Sequence, residues 1–201
     1  MTKIIAQGAE AIIIKNKEII TKDRIKKSYR ILEIDNKLRK RRTRSETKIL
    51  EKASKIINCP QPIITKNNDS KIKMPFIQGK KLSDHLNDFS LKKQKQILEQ
   101  IGEDVSKLHE ENIIHGDLTT SNMILKNNTI FFIDFGLGFQ NGKYEDKAVD
   151  IHLLKQALEA KHFENWEILF NKFLKGYTKS ENSKIVLERL KTVEKRGRYK
   201  K

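Results

Sequence analysis

The sequence predicts an α+β fold in two lobes: a small β-rich N-terminal lobe over residues 1–75 and a compact, mainly helical C-terminal lobe over residues 76–201, together one domain. Three observations carry this expectation. A length of 201 residues suits one domain of two lobes. Short β-rich runs bounded by turn residues crowd into the first third. From Phe76 onward, apolar residues recur mostly at helical spacing.

The elements follow in order. Ala11–Lys15 and Glu18–Lys22 are β-rich runs separated by Asn16-Lys17, a hairpin signal. A basic helical stretch runs from about Leu32 to Ile57 and ends near Cys59-Pro60. Ile63–Lys66 and Lys71–Met74 flank the turn-like Asn67-Asn68-Asp69-Ser70. Met74-Pro75-Phe76-Ile77 joins the lobes. Ser90 is an N-cap candidate for a helix over Leu91–Glu111, where Leu98, Ile101, Val105 and Leu108 recur at helical spacing. A hairpin of Met123–Leu125 and Ile130–Ile133 turns at Asn127-Asn128. Helices resume near Asp146–Lys161, Asn165–Tyr177 and Glu181–Lys195.

Composition narrows the function classes. The longest purely apolar runs, Ala11–Ile14 and Ile130–Ile133, are four residues each, far below the ~20 a bilayer crossing needs. With no signal-peptide core at Met1-Thr2-Lys3-Ile4, a cytoplasmic protein without a membrane role is expected. The single Cys59 excludes an internal disulfide and a multi-cysteine zinc site, and its place at a helix end before proline predicts a small buried residue. The formal net charge of +16 is concentrated. Residues 22–48 hold 12 Lys/Arg against four Asp/Glu, and residues 189–201 hold seven against one. Such patches suit phosphate backbones or acidic protein surfaces, and equally solvated helix faces. His85, His109, His152 and His162 have no metal-type spacing and are expected at surface or helix positions, and Trp166, Phe170 and Phe173 in the core.

One constellation carries chemistry. His115-Gly116-Asp117-Leu118-Thr119-Thr120-Ser121-Asn122 has the form H-x-D-x-x-x-x-N, and twelve residues after Asn122 comes Asp134-Phe135-Gly136. With a short hairpin between them, these motifs specify a protein-kinase-like fold. Asp117 would orient the hydroxyl or water that attacks the γ-phosphate of ATP. Asn122 and Asp134 would hold Mg²⁺, a hard cation that prefers oxygen ligands. The fold then asks for a strand lysine and a helix glutamate. Lys22 closes the second run and Glu46 lies 24 residues on. The phosphate-covering loop departs from G-x-G-x-x-G: Gln7-Gly8-Ala9-Glu10-Ala11 has one glycine. At the join, adenine would donate to the carbonyl of Pro75 and accept from the amide of Ile77.

At this point the chain resembles one family over essentially its whole length: the kinase/ATPase subunit of the KEOPS complex, an assembly that helps make threonylcarbamoyladenosine on tRNA. The marks are Gln7–Ala11, Lys22-x-Arg24-x-x-Lys27-x-Tyr29-Arg30, Arg42-Thr43-Arg44-Ser45-Glu46, the His115–Asn122 and Asp134–Gly138 loops, Glu145–Asp150, and Arg196-Gly197-Arg198. The RIO kinases are its relatives and lack the N-terminal pattern. The resemblance implies an atypical kinase that uses ATP and Mg²⁺ and hydrolyses ATP or autophosphorylates. It assigns the nucleotide lysine to Lys22, the helix glutamate to Glu46, the catalytic aspartate to Asp117 and the metal ligands to Asn122 and Asp134. Asp150 matches the aspartate that braces the catalytic loop. The implied partners are the threonylcarbamoyl-transferring subunit, other KEOPS subunits and tRNA. Arg196, Arg198, Lys200 and Lys201 are candidate contacts to RNA or partner. The alternative is a stand-alone RIO-like serine/threonine kinase. Thr119 stands where kinases acting on peptides usually have lysine, and no A-P-E segment follows Gly136, so a peptide-docking platform is missing.

Overall fold

The computed structural model describes residues 2–63 and 70–198. Strands β1 (Thr2–Gln7), β2 (Ala11–Asn16), β3 (Ile19–Arg24) and β4 (Lys71–Pro75) form one antiparallel sheet in the order β1-β2-β3-β4. Helix α1 (Leu32–Ala53) packs Ile49, Leu50 and Ala53 into the core. Then come β5 (Lys80–Lys81), the short α2 (Leu82–His85), and α3 (Leu91–Glu110), which Ser90 caps by accepting from the Lys93 amide at 3.4 Å. β6 (Ile113–Ile114), β7 (Met123–Lys126), β8 (Thr129–Phe132) and β9 (Phe139–Gln140) precede α4 (Tyr144–Lys161), α5 (Trp166–Tyr177) and α6 (Ser183–Arg198). Two small sheets, β5-β7-β8 and β6-β9, therefore sit among helices, and the α+β architecture with its sheet first and its helices later is the one expected.

Four local differences have physical causes. β1 escapes the sequence pattern because all six of its residues are exposed on a sheet edge, leaving no alternation to see. The β2–β3 turn is Lys17-Glu18, one residue later than expected, since Asn16 still pairs with Ile19 and Lys17 takes the left-handed φ of 53°. Consequently β3 runs two residues past Lys22 and brings Arg24 onto the same face. α1 stops at Ala53, where the amides of residues 54–57 turn back on the last carbonyls and end the helix before Ile57. Of the expected run Ile63–Lys66, Ile63 donates to the Lys73 carbonyl at 2.7 Å; the rest, with Asn67, Asn68 and Asp69, lies outside the described residues.

The helices meet at close range. A Cβ on Gly102 of α3 would stand 2.1 Å from the Phe173 carbonyl, and one on Gly176 of α5 would stand 2.0 Å from that of Glu99. These two glycines let the backbones touch, which offsets their poor helix propensity. Phe173 is fully buried, Phe170 nearly so, and Trp166 packs against the same core. The core is continuous from α1 through Leu118, Phe132 and Phe135 to α4, α5 and α6, so the loops after β6 and β8 rest on packed side chains. No described helix is long and apolar enough to cross a membrane.

Candidate active site

Strand β3 and helix α1 assemble the first half of the site. Lys22 points from β3 toward α1, where its Nζ donates to Glu46 Oε1 at 2.7 Å. The same Nζ donates to Asp134 Oδ1 at 2.6 Å. The other oxygen of Glu46 accepts from Arg24. Glu46 is 1% exposed, so its charge is balanced by contact rather than by water. Arg24 belongs to the quoted N-terminal pattern, yet nothing in the sequence pairs it with Glu46.

The loop after β6 makes the second half. Leu118 and Phe135, both fully buried, anchor the two motif loops, and the His115 ring lies 4.5 Å from that of Phe135. His115 Nε2 donates to the Ile133 carbonyl at 3.2 Å, and its Nδ1 accepts from the Asp117 amide at 3.3 Å. Gly116 has φ +80°, and a Cβ there would stand 2.3 Å from the Leu137 carbonyl, so only glycine fits. Asp150 of α4 accepts from the amides of His115 at 2.7 Å and Gly116 at 2.9 Å. Asn122 donates its amide to the Asp117 carbonyl at 2.9 Å and to Asp117 Oδ2 at 2.8 Å. Asp134 holds a left-handed φ of 62°, secured by Lys22 and by the Gly136 amide at 3.1 Å. Partial desolvation would raise the Asp134 carboxyl, and the Lys22 ammonium more than offsets it, keeping the group below its ordinary value.

Two cavities meet at Lys22 and Asp134. One, of about 350 Å³, is largely apolar: Ile13, Ile20 and Met74 face Ile124 and Ile133, with Pro75–Ile77 along one side. Among the described residues the Ile77 amide donates to nothing. The other, of about 410 Å³, is lined by Gly8, Ala9 and Glu10 of the β1–β2 loop and by Arg24, Arg42 and Asp117. An apolar slot continuing into a chamber with Lys22, Arg24 and Arg42 in its wall suits a nucleobase followed by phosphates. Gln7 ends β1 with an exposed side chain, and Ala11 opens β2 at the rim of the second cavity. Arg196 lies away from this centre, paired with Glu145 at the start of α4. Arg198 ends α6, and Lys200 and Lys201 lie outside the described residues.

Of the histidines expected at surface or helix positions, His85, His109 and His152 lie in helices, while His162 stands just past the end of α4 and is buried, as His109 is too. His109 Nε2 reaches Asp150 at 3.4 Å while its Nδ1 meets the Tyr177 hydroxyl at 2.9 Å. His162 Nδ1 donates to Asn87 Oδ1 at 2.7 Å and Nε2 accepts from Thr120 at 3.2 Å, tying the His115–Asn122 loop to the end of α4. Their spacing in sequence carries no trace of this, because each packs against a distant element. Cys59 is buried as expected, and burial pushes its thiol up to about 12.

Burial lowers the imidazoles of His115 and His162 below their ordinary value of 6.5. Unfolding in mild acid therefore takes up protons. The stability these two supply is complete above the ordinary imidazole value and is lost as pH falls through their folded values. Melting temperature should thus fall from about pH 7.5 to about pH 5.5, and His162→Gln should flatten part of that slope. A melting temperature flat across this range in the parent chain contradicts the assignment.

Comparison with known proteins places this geometry. The RIO-domain family model matches residues 6–148. KEOPS complex subunit Bud32 of Pyrococcus abyssi is 39% identical, the alignment covering 98% of this chain and 96% of that protein. A probable serine/threonine-protein kinase BUD32 homolog of Archaeoglobus fulgidus is 40% identical over 96% of this chain and 94% of its own length. A probable bifunctional tRNA threonylcarbamoyladenosine biosynthesis protein of Methanococcus vannielii is 41% identical over 98% of this chain, which spans 36% of that protein. Among solved structures, a streptomycin-ATP-APH(2")-IIa ternary complex matches with a TM-score of 0.63 at 12% identity, covering 94% of this chain and 81% of that one, a likeness of fold alone.

Proposed function

We infer the function from one premise: the chain belongs to the RIO-domain family and, within it, to the Bud32 proteins. It is a small kinase-like ATPase that serves threonylcarbamoyladenosine modification of tRNA as a subunit of the KEOPS complex. The observation that carries this reading is the convergence of Lys22, Glu46, Asp117, Asn122 and Asp134, from four separate segments, on one cleft where an apolar slot meets a polar chamber. Residues 1–75 form the N-terminal lobe and residues 76–201 the C-terminal lobe, with the cleft between them.

The chemistry follows from the side chains. ATP places adenine in the slot against Pro75 and Ile77 and its phosphates under Gln7–Ala11, where Lys22 meets them and Glu46 orients the ammonium. Asp117, held by Asn122, aligns the attacking water or hydroxyl. Asn122 spends its amide hydrogens on Asp117, which leaves its carbonyl oxygen for a cation. Asp134 keeps one oxygen free of hydrogen bonds among the described residues. This pair would hold Mg²⁺, and the ion, when bound, would neutralise phosphate charge. Asp150 braces the loop that carries Asp117.

The partners we assign are the threonylcarbamoyl-transferring subunit, other KEOPS subunits and tRNA, in the cytoplasm. A relative named as bifunctional, only 36% of whose length aligns with this chain, supports a partner bearing the other function. Arg196, Arg198, Lys200 and Lys201 are the proposed contacts to RNA or partner. The kinase name of the Archaeoglobus relative favours a second reading, a stand-alone serine/threonine kinase. Phosphate release without a peptide substrate, stimulated by tRNA and the other subunits, supports the first; dependence on a protein acceptor supports the second.

Lys22 and Glu46 act as one unit. Lys22→Ala and Glu46→Ala should each lower ATP hydrolysis about tenfold or more, from the loss of a charge-assisted hydrogen bond. The double variant should be little worse than the worse single one. Fully additive losses would mean that a different lysine or glutamate serves the phosphates.

A further inference from the structure

Arg24 is the cation that the reading above leaves without a task. Lys22 and Arg24 lie two residues apart on β3, so both side chains leave the same face, and both are buried. Glu46 carries one charge and serves both, Lys22 on Oε1 and Arg24 on Oε2. Lys22 has a second counter-charge in Asp134 at 2.6 Å, but Asp134 is also the proposed Mg²⁺ ligand. With a divalent cation on the free oxygen of Asp134, the positive charges of this cluster would outnumber the negative charges of Glu46 and Asp134. The surplus charge needs an anion.

The structure also places the second cavity, lined by three cations and three carboxylates, beside that surplus. Arg24 lines the same cavity as Gly8, Ala9, Asp117 and Arg42. Its Nε is buried and donates to nothing among the described residues. Arg42 stands one helical turn before Glu46, on the same side of α1, and is paired with Glu10 of the β1–β2 loop. A half-exposed arginine and a buried one with a spare donor, beside Asp117 and beneath the loop, match the planar fork that phosphate recognition uses.

We propose that Arg24 contacts the terminal phosphate of the nucleotide and that Arg42 completes the same subsite; the proposal deepens the ATP reading and rests on it. Arg24 thereby makes the site prefer a triphosphate over a diphosphate, while its other nitrogen keeps Glu46 in place for Lys22.

The test is equilibrium binding of ATP and of ADP, each with Mg²⁺, to the full chain and its variants. Arg24→Gln should cost ATP affinity about tenfold more than it costs ADP affinity, the low end for a charge-assisted hydrogen bond. Arg24→Lys should recover part of that preference. Arg42→Gln, at a half-exposed position that does not endanger folding, should shrink the ATP-over-ADP ratio about two- to threefold. Lys26→Gln, an exposed change of the same charge, should leave the ratio alone. If Arg24→Gln folds and weakens ATP and ADP equally, Arg24 only steadies Glu46 and the proposal fails. If Arg24→Gln does not fold, an unchanged ratio in Arg42→Gln overturns the subsite by itself. A parent chain that binds neither nucleotide sinks the ATP reading beneath the proposal. One that binds both without preferring ATP sinks the subsite alone.

Discussion

Asp117→Asn should fold, bind ATP with Mg²⁺ at near-parental affinity and lose turnover by about 10²-fold or more. The side chains are nearly isosteric, and an amide oxygen at that position still accepts from Asn122, whose bond to Asp117 is 2.8 Å. What disappears is the negative charge that aligns the attacking water or hydroxyl and draws off its proton. Orientation and general-base contributions set the size of the loss. Asp117 is part-buried at a cavity wall rather than in the core, so melting temperature should hardly move. Phosphate release at the parental rate from a clean preparation would refute the assignment. A large fall in melting temperature would instead make Asp117 a structural residue.

The second large effect is expected at Asp150. This carboxylate is 1% exposed and accepts two backbone amides of the proposed catalytic loop, with His109 as a third neighbour. Asp150→Ala leaves those donors buried without an acceptor, at about 1–3 kcal/mol for each unsatisfied group. A total of roughly 2–5 kcal/mol is a large share of the stability of a domain this size. It corresponds to a fall of roughly 5–20 °C in melting temperature. Turnover should fall as well, because Gly116 sits at φ +80° and its amide bond to Asp150 helps to hold it there. Asp150→Asn should recover little, since an amide nitrogen would face one of the two N–H groups it must satisfy. Calorimetry and phosphate release on the same samples decide the matter. A variant that melts and turns over like the parent would show that the loop holds itself.

Much of this protein was legible in its residues, for local reasons. The H-x-D-x-x-x-x-N loop and Asp134-Phe135-Gly136 are short, contiguous patterns, and the hairpin between them, β7–β8, formed where Asn127-Asn128 announced its turn. Ser90 and the apolar spacing of Leu98, Ile101, Val105 and Leu108 specified α3, because a cap and a one-sided apolar stripe are both local properties of the chain. Such signals were enough for the two-lobed α+β architecture. Only the tertiary structure decided which side chains meet. Glu46 reaches Lys22 across 24 residues, Lys22 reaches Asp134 across 112, and Arg24 shares Glu46 because β3 runs two residues further than its pattern indicated. The same holds for His109 and His162, whose burial against Tyr177 and Thr120 no sequence spacing announces. Edge strand β1 was invisible for the opposite reason: every residue of it is exposed, and periodicity reports only burial on one side. A sequence pattern records which way a residue faces from its own element; its partner is set by how the elements pack, which no local period encodes.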